Sequence, residues 1–388
     1  MNTRQLWFVN PFEVEIRERR LDSLQPDQVL VKNLYSAVSS GTELLVYRGQ
    51  LPDSTALDDS LGVYAGQNTS YPLQYGYACV GRIEQAGTEV DPSRVGATVF
   101  AFQPHAGHYQ CVAGAVIDVP DDIDPRTAVF LANMETAVNL VQDGNPRLGE
   151  RVVVIGQGIV GLLVSGLLAQ YPLAGLYALD SIAGRRTLSA KLGAHGAYAP
   201  EAAPEAIPEA APETVSEVAL GAAPESDTRA APESDTRAAP KAYPQAAPDL
   251  AELKEILRLN HATGGADVVF ELSGSPEALN LAVDLCGYAG RIVVGSWYGS
   301  KRAGINLGER FHRKRMAIVS SQVSTVAPEL SGRWDKARRF SLAWDMMRKC
   351  RPAQFISHCL PFDSAAEAYR LLNDSPEAVL QVIFDYQA

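Results

Sequence analysis

The stretch Arg151-Val-Val-Val-Ile-Gly-Gln-Gly-Ile-Val-Gly161 decides the fold; the apolar residues 162–170 and Gly175-Leu-Tyr-Ala-Leu-Asp180 follow it. The β-branched run at its start predicts a strand, and Gly156-Gln-Gly-Ile-Val-Gly161 predicts a tight turn into a helix. A second apolar run then ends in an acidic residue. This order of strand, turn, helix, strand and acid predicts a βαβ unit that binds a dinucleotide.

Each part of the turn has a physical role in holding a dinucleotide. Gly156 permits the turn, Gly158 lets the backbone approach a pyrophosphate, and Gly161 lets the helix pack on the strand. Free N–H groups at the start of the helix favour phosphate, and Asp180 can accept hydrogen bonds from the adenosine ribose. The predicted cofactor-binding residues are the turn, this acid, a nearby arginine and two small residues after a later strand: Gly156, Gln157, Gly158, Ile159, Val160, Gly161, Asp180, Arg185, Ser273 and Gly274. A glycine-rich turn without a ligand is the structural alternative.

The acid at the end of the second strand also bears on which dinucleotide is bound. The Asp180 carboxylate can accept a hydrogen bond from a free ribose 2′-hydroxyl and repels a 2′-phosphate, which favours NAD(H). Arg185 and Arg186 follow within two helical turns and could offset that repulsion. NADP(H) therefore stays as the alternative.

Size, charge and composition limit the class of protein. The chain has 388 residues, of which 46% are hydrophobic, so it can bury a large core in two or three domains. Its net charge of −11 argues against nucleic-acid partners. No apolar run reaches the roughly 18 residues of a membrane span, the N-terminus has no signal-peptide pattern, and the five cysteines form no CxxC pair. We expect a cytoplasmic protein with a small-molecule substrate and no membrane partner.

The pattern of the chain changes twice along its length. Residues 1–148 are β-rich, with strands predicted at 6–9, 29–35, 79–84, 97–102 and 109–119. Residues 149–319 alternate strands and helices, which predicts a doubly wound parallel sheet. A final predicted strand at 378–384 does not fit obviously in that sheet, so we expect it to return to the first domain.

A segment of low complexity, residues 199–248, interrupts the nucleotide-binding part. It contains nine of the chain's 24 prolines, all on one four-residue register, and a tandem repeat of Ala-Ala-Pro-Glu-Ser-Asp-Thr-Arg at 222–229 and 230–237. Prolines at this spacing exclude a stable helix, and few large apolar groups are present. We predict a disordered surface insertion, with a docking arm as the alternative.

Several motifs resemble those of the medium-chain dehydrogenase/reductase superfamily, which includes the zinc alcohol dehydrogenases. They are Ser40-Gly-Thr-Glu43, Gly76-Tyr-Ala-Cys-Val-Gly81, the glycine turn, Gly265-Ala-Asp-Val-Val-Phe270 and Ile356-Ser-His-Cys-Leu-Pro361. Their wording looks most like the branch that contains the bacteriochlorophyllide hydroxyethyl dehydrogenase. The resemblance implies a GroES-like catalytic domain (1–148, completed by 320–388), a Rossmann domain (149–319), and a homodimer or homotetramer.

The positions of the superfamily's zinc ligands carry other residues in this chain. By the resemblance they fall at Ser40, Tyr77 and Ala132, none of which is a good zinc ligand. The resemblance therefore implies a member without zinc, and we predict no metal ligand. A zinc site made of Glu43, Cys79 and two nearby histidines, His105 and His108, is the alternative.

Without a metal, a hydrogen bond or a protonated side chain must polarise the substrate carbonyl. By the resemblance, Thr42 matches the hydroxyl that relays a proton in alcohol dehydrogenases. Tyr77 could donate through its phenol, whose ordinary pKa is about 10. His105 or His108, close to the pocket aromatic Phe102, could act as acid or base. These three kinds of side chain could instead cap a turn, fill a packed site or belong to a loop.

The sequence as a whole predicts an NAD(P)-dependent oxidoreductase. It would transfer hydride between nicotinamide and a carbonyl, alcohol or activated alkene, without zinc. A quinone or enoyl reductase is an alternative of the same class. A non-catalytic protein that senses NAD(H) and presents the Pro-Ala segment to a partner is an alternative of a different class.

Overall fold

The computed structural model describes residues 1–52, 55–57, 61–200 and 250–387. The predicted insertion at 199–248 lies outside the described residues, apart from its first two positions.

The chain forms strands from its beginning to its end. In chain order they are β1 (Asn2–Asn10), β2 (Glu13–Arg20), β3 (Gln28–Ala37), β4 (Cys79–Ala86), β5 (Thr98–Ala101), β6 (His108–Val112), β7 (Val116–Asp118), β8 (Arg151–Ile155), β9 (Gly175–Leu179), β10 (Gly196–Tyr198), β11 (Ala266–Glu271), β12 (Cys286–Val294), β13 (Ala317–Ser320), β14 (Ile356–Pro361) and β15 (Gln381–Asp385).

Helices occur in both halves of the chain. They are α1 (Glu43–Tyr47), α2 (Pro125–Ala128), α3 (Leu131–Gly144), α4 (Ile159–Leu168), α5 (Ala183–Lys191), α6 (Leu250–Ile256), α7 (Ala278–Leu285), α8 (Lys336–Cys350) and α9 (Ala365–Asp374).

Six strands form a parallel sheet with the order β10-β9-β8-β11-β12-β13. Alternate residues of β8 face opposite sides, as the two-residue period of a strand requires. Val152 and Val154 pack in a core cluster with α3, α4 and α8, whereas Val153 and Ile155 pack in another with α6 and α7. Helices thus cover both faces, and the predicted doubly wound sheet is confirmed.

A second sheet has the order β14-β15-β3-β4-β5-β7, with β6 added on β3. Strand β15 pairs antiparallel with β3, and Ile383 lies opposite Ala37. The expectation that the last predicted strand returns to the β-rich part of the chain is therefore confirmed. Together, the two sheets confirm the predicted fold class.

Two details differ from the strand predictions. The run at 109–119 is two strands, β6 and β7, because the small residues Ala113–Ala115 form a 3-10 turn between them. The sequence also gives no apolar signal for β2, Glu-Val-Glu-Ile-Arg-Glu-Arg-Arg, which pairs only with β1 and has no buried residue.

A buried polar network fastens α8 to α3. The Arg339 guanidinium donates to Glu135 Oε1 at 2.7 and 3.0 Å and to Asn139 Oδ1 at 2.6 Å. It also donates to the main-chain carbonyls of Thr325, at 2.9 Å, and Val323. Arg339 is 1% exposed. The network therefore holds the segment that leaves the parallel sheet after β13.

A short contact joins the N-terminal part of the chain to the loop after β12. The Ser300 N–H and hydroxyl both donate to the main-chain carbonyl of Gln50, at 2.8 and 3.1 Å. Because Gln50 lies just after α1, this contact brings the Ser-Gly-Thr-Glu motif close to the carboxyl ends of the parallel strands.

Candidate active site

The glycine turn joins β8 to α4. Gly156 has φ +91°, and a Cβ atom there would lie 2.6 Å from the main chain of Leu272. A Cβ atom on Gly161 would lie 1.9 Å from the Gly156 carbonyl oxygen. A Cβ atom on Gly158 would meet nothing within 4 Å. Two of the glycines are thus required by the fold itself, whereas the third borders open space.

Open space at Gly158 lies where α4 presents its first N–H groups. Gly158 is the N-cap of α4, and no side chain caps this end. The first N–H groups of a helix have no intrahelical acceptor, and the positive end of the helix dipole favours an anion. Backbone from Gly158 to Gly161, including Ile159 and Val160, therefore fits a pyrophosphate.

Asp180 lies directly after β9 and ties the turn to the next loop. Its Oδ2 accepts from the Gln157 N–H at 2.7 Å, and its Oδ1 accepts from the Ile182 N–H at 2.8 Å. A carboxylate has about four acceptor sites, so two remain for a ribose. The residues present thus fit a dinucleotide.

Gln157 holds the turn from within. Its side chain is buried, where Nε2 donates to the Val154 carbonyl at 3.1 Å and Oε1 accepts from the Ser165 hydroxyl at 3.0 Å. Its N–H is taken by Asp180. We therefore revise the prediction that Gln157 binds cofactor: its contacts support the turn.

Of the two arginines after Asp180, the one beside it is not the one in our prediction. Arg185 donates to the carbonyls of Pro376 and Val379, at 3.0 and 3.2 Å. Arg186 donates to the carbonyls of Asp180 and Ser181, at 2.7 and 2.8 Å. Arg186, and not Arg185, therefore lies beside Asp180, where its guanidinium is bound to main-chain carbonyls. A cofactor contact by Arg185 stays a prediction.

Ser273 and Gly274 follow β11 and join it to the loop after β12. The buried Glu271 carboxylate accepts from the Ser273 hydroxyl and the Tyr298 hydroxyl, both at 2.5 Å. The Gly274 N–H donates to the Ser296 hydroxyl at 2.9 Å. Burial and the neighbouring Glu271 raise the pKa of Tyr298, so its phenol stays a donor. These bonds fix the sheet edge beside the glycine turn.

The hydroxyls of Thr42 and Tyr77 meet, as their candidate roles require. The Tyr77 phenol donates to Thr42 Oγ1 at 3.3 Å and also makes a short hydrogen bond with the Ser39 hydroxyl. Thr42 is the N-cap of α1, but its side chain makes no capping bond. Its hydroxyl is thus engaged with Tyr77 rather than with the helix. Ser39 was not among the residues predicted from the sequence, where it has no motif of its own.

His105 lies behind these hydroxyls rather than among them. It is 0% exposed; its Nε2 contacts Glu43 Oε2 at 3.0 Å, and its Nδ1 contacts the Ser36 hydroxyl at 2.7 Å. Because both ring nitrogens are occupied and buried, we correct the prediction that His105 acts directly on substrate. Glu43 is buried as well.

The alternative zinc site is not formed. His108 contacts Glu84 at 3.3 Å, and burial lowers the pKa of His108 although Glu84 opposes the shift. The Cys79 thiol donates to the Gln103 carbonyl at 3.2 Å, and burial raises its pKa to about 12. Neither joins Glu43 and His105. Across the described ranges, no group of three or more His, Cys, Asp or Glu side chains is placed to hold a metal ion.

Three partly buried aromatic rings pack against the same core cluster. Tyr77, Phe102 and Phe340 are partly buried and pack against the core cluster that contains Ala132. The centroids of Phe102 and Phe340 are 6.1 Å apart. Phe102 and Phe340, called the aromatic wall below, suit the carbon skeleton of a small substrate.

In the part of the chain that the structure describes, no helix is both long and apolar enough to cross a membrane.

The two sheets, their connection and the glycine turn form the same fold as the solved dehydrogenase structures given below. No protein-family model matches the chain. The chain is 22% identical to D-guloside 3-dehydrogenase of Escherichia coli K12, over 95% of both chains. It superposes on L-idonate 5-dehydrogenase of E. coli K-12 (TM-score 0.70, 14% identity, 99% of this chain and 98% of the other). It also superposes on an NADH complex described as a short chain alcohol dehydrogenase, from E. coli CFT073 (TM-score 0.69, 17% identity, 99% of both).

Proposed function

We propose that the protein is an NAD(P)-dependent oxidoreductase that interconverts an alcohol and a carbonyl compound. One observation carries this proposal: the hydroxyls of the partly exposed residues Tyr77 and Thr42 share a hydrogen bond. By the resemblance, Tyr77 stands at a zinc-ligand position of the superfamily. The glycine turn, with open space at Gly158, supports the cofactor class. The 22% identity to a sugar dehydrogenase over nearly the whole chain supports the reaction type.

When bound, a reduced nicotinamide dinucleotide supplies the hydride that reaches the carbonyl carbon. The chain's own residues handle the proton. The Thr42 hydroxyl donates its proton to the carbonyl oxygen and regains one from the Tyr77 phenol, with which it already shares a hydrogen bond. The aromatic wall of Phe102 and Phe340 holds the substrate skeleton and excludes water.

Turnover tests the proposal directly. Purified protein, with its metal content measured, is assayed against panels of sugars, alcohols, aldehydes, enones and quinones with both dinucleotides. We expect alcohol oxidation or carbonyl reduction without stoichiometric zinc. Turnover of enones or quinones alone would favour the reductase alternative. Binding of NADH without turnover of any compound would favour a sensor.

We propose NAD(H) as the preferred cofactor, because Asp180 has acceptor capacity for a free 2′-hydroxyl, while Arg186 is bound to main-chain carbonyls. Asp180→Asn removes the charge that repels a 2′-phosphate, so we expect the ratio of the NADPH to the NADH dissociation constant to fall about tenfold. Fluorescence titration measures both constants. Gly158→Ala is the control, since a methyl group at the open position should weaken both cofactors equally. An unchanged ratio in Asp180→Asn would argue against this role of the carboxylate.

The proposal also covers the domain bounds and the oligomeric state. We propose domains at 1–148, 149–319 and 320–388. We propose a zinc-free, cytoplasmic enzyme that acts as a homodimer or homotetramer. The edge strand β13 of the parallel sheet, whose Val319 is 41% exposed, offers a surface for subunit pairing.

A further inference from the structure

Three hydroxyls at the candidate active site form a chain of hydrogen bonds. The Tyr77 phenol donates to Thr42 Oγ1 at 3.3 Å. The phenol also shares a short hydrogen bond with the Ser39 hydroxyl, in which either oxygen could be the donor. A phenol has only one proton. If it donates to Thr42, the Ser39 hydroxyl must donate to the phenol oxygen.

We propose that Ser39 is a positioning residue that makes Tyr77 an effective proton donor, and that the buried Glu43 and His105 hold Ser39 in place. This inference rests on the proposed function and names the group that supports its acid. A hydroxyl that donates to the phenol oxygen stabilises the phenolate left when Tyr77 gives up its proton. The Ser39 hydroxyl thus lowers the free energy needed for Tyr77 to give up its proton.

The backbone of Ser39 is fixed by a buried carboxylate. Glu43 Oε1 accepts from the Ser39 N–H at 2.8 Å, across the first turn leading into α1. Glu43 Oε2 accepts from the Tyr369 phenol and contacts His105 Nε2. Burial and the adjacent Glu43 raise the pKa of Tyr369 well above its ordinary value, so this phenol stays a donor.

His105 is held from its other side. Its Nδ1 contacts the Ser36 hydroxyl, which also contacts the Tyr386 phenol at 2.8 Å. Gly76 packs against the imidazole so closely that a Cβ atom there would lie 2.8 Å from the ring. His105 therefore cannot turn away from Glu43, and Glu43 cannot release Ser39 without breaking buried hydrogen bonds.

The proton that the carbonyl oxygen gains comes from Tyr77 by way of Thr42. During reduction, the carbonyl carbon gains hydride from the dinucleotide, and the carbonyl oxygen gains the Thr42 proton. The Tyr77 proton passes to Thr42, and the phenolate that remains is stabilised by the Ser39 hydroxyl. Tyr77 is partly exposed, so it regains a proton from solvent before the next turnover.

The test compares Ser39→Ala with Ser39→Thr, which keeps the hydroxyl, and with Ser93→Ala, at an exposed serine outside the site, as a control. The pH at which Tyr77 ionises is read from phenolate absorbance, as the difference between each protein and its own Tyr77→Phe version. We expect ionisation at higher pH in Ser39→Ala than in wild type, with wild-type behaviour in the other two. We also expect kcat to fall about tenfold in Ser39→Ala, with the KM for cofactor unchanged.

The optical readout needs no turnover, so it separates this inference from the proposed function. An unchanged ionisation of Tyr77 in Ser39→Ala would overturn the role of Ser39 even in an active enzyme. A shift in Ser39→Ala that Ser39→Thr reverses supports that role even if no substrate is found. Glu43→Ala removes the acceptor of the Ser39 N–H together with a negative charge, and the loss of that charge alone would lower the pKa of Tyr77. An upward shift in Glu43→Ala is therefore expected only if the buried carboxylate holds Ser39, and a downward shift or none would remove Glu43 and His105 from the inference.

Discussion

Replacement of Tyr77 by Phe is expected to lower kcat/KM about 10²–10³-fold, the contribution of a well-placed general acid. Phe keeps the ring, which packs against two core clusters, and loses only the hydroxyl that contacts Ser39 and Thr42. The loss should therefore appear in the chemical step and leave the unfolding temperature nearly unchanged. Steady-state kinetics on the best substrate of the panel, combined with thermal unfolding, measures both quantities.

Two comparisons complete this experiment. Tyr171→Phe removes the hydroxyl of a tyrosine that is 42% exposed and should not alter the kinetics. NADH affinity should also be the same in Tyr77→Phe as in wild type, because the predicted phosphate contacts lie at Gly158–Gly161. A Tyr77→Phe variant with kcat/KM within threefold of wild type would leave Thr42 as the proton donor without help from Tyr77.

Arg339→Ala is expected to lower the free energy of unfolding by about 3–5 kcal/mol, as removal of one partner from a buried ion pair does. Glu135 is 2% exposed, and burial already raises its pKa although Lys336 and Arg339 oppose the shift. Without the guanidinium, the carboxylate, the Asn139 amide oxygen and two main-chain carbonyls lose their donors. Urea unfolding followed by circular dichroism measures the change.

Helix α8 offers a matched control for this experiment. Arg348 pairs with Asp122 at 2.6 Å, but its side chain is 38% exposed and that of Asp122 is 61% exposed. Solvent screens such a pair, so Arg348→Ala should barely change stability. Equal losses in the two variants would mean that the effect comes from α8 itself and not from the buried network.

The cofactor half of the site could be predicted from the sequence because its constraints are local. Gly156 supplies the positive φ of the turn, Gly161 meets the Gly156 carbonyl oxygen within the same six residues, and Asp180 directly follows the next strand. The sequence does not predict that the Gln157 side chain supports the turn, because its contacts with Val154 and Ser165 form only once the strand and the helix have folded. The choice between Arg185 and Arg186 likewise depends on Pro376 and Val379, almost two hundred residues away.

The candidate catalytic residues depend on contacts between distant parts of the chain, which the sequence does not predict. Thr42 and Tyr77 were indicated by resemblance, and they do meet. In the sequence His105 cannot be told apart from a catalytic histidine, but in the structure Glu43, Ser36 and Gly76 enclose it. Ser39 had no signal at all, since a serine gains a role here only when Tyr77, 38 positions later, is folded onto it.

The proline-rich segment, residues 199–248, follows a strand at the edge of the parallel sheet, which affects how its length can change in evolution. Strand β10 is the outermost strand of the parallel sheet, paired on one side only. Strand β10 ends at Tyr198, and α6 begins at Leu250. A connection that starts at a sheet edge can gain or lose repeat units without shifting the register of any inner strand. Length variation among close relatives should therefore concentrate between residues 199 and 248, while the glycine turn and the three hydroxyls keep their spacing.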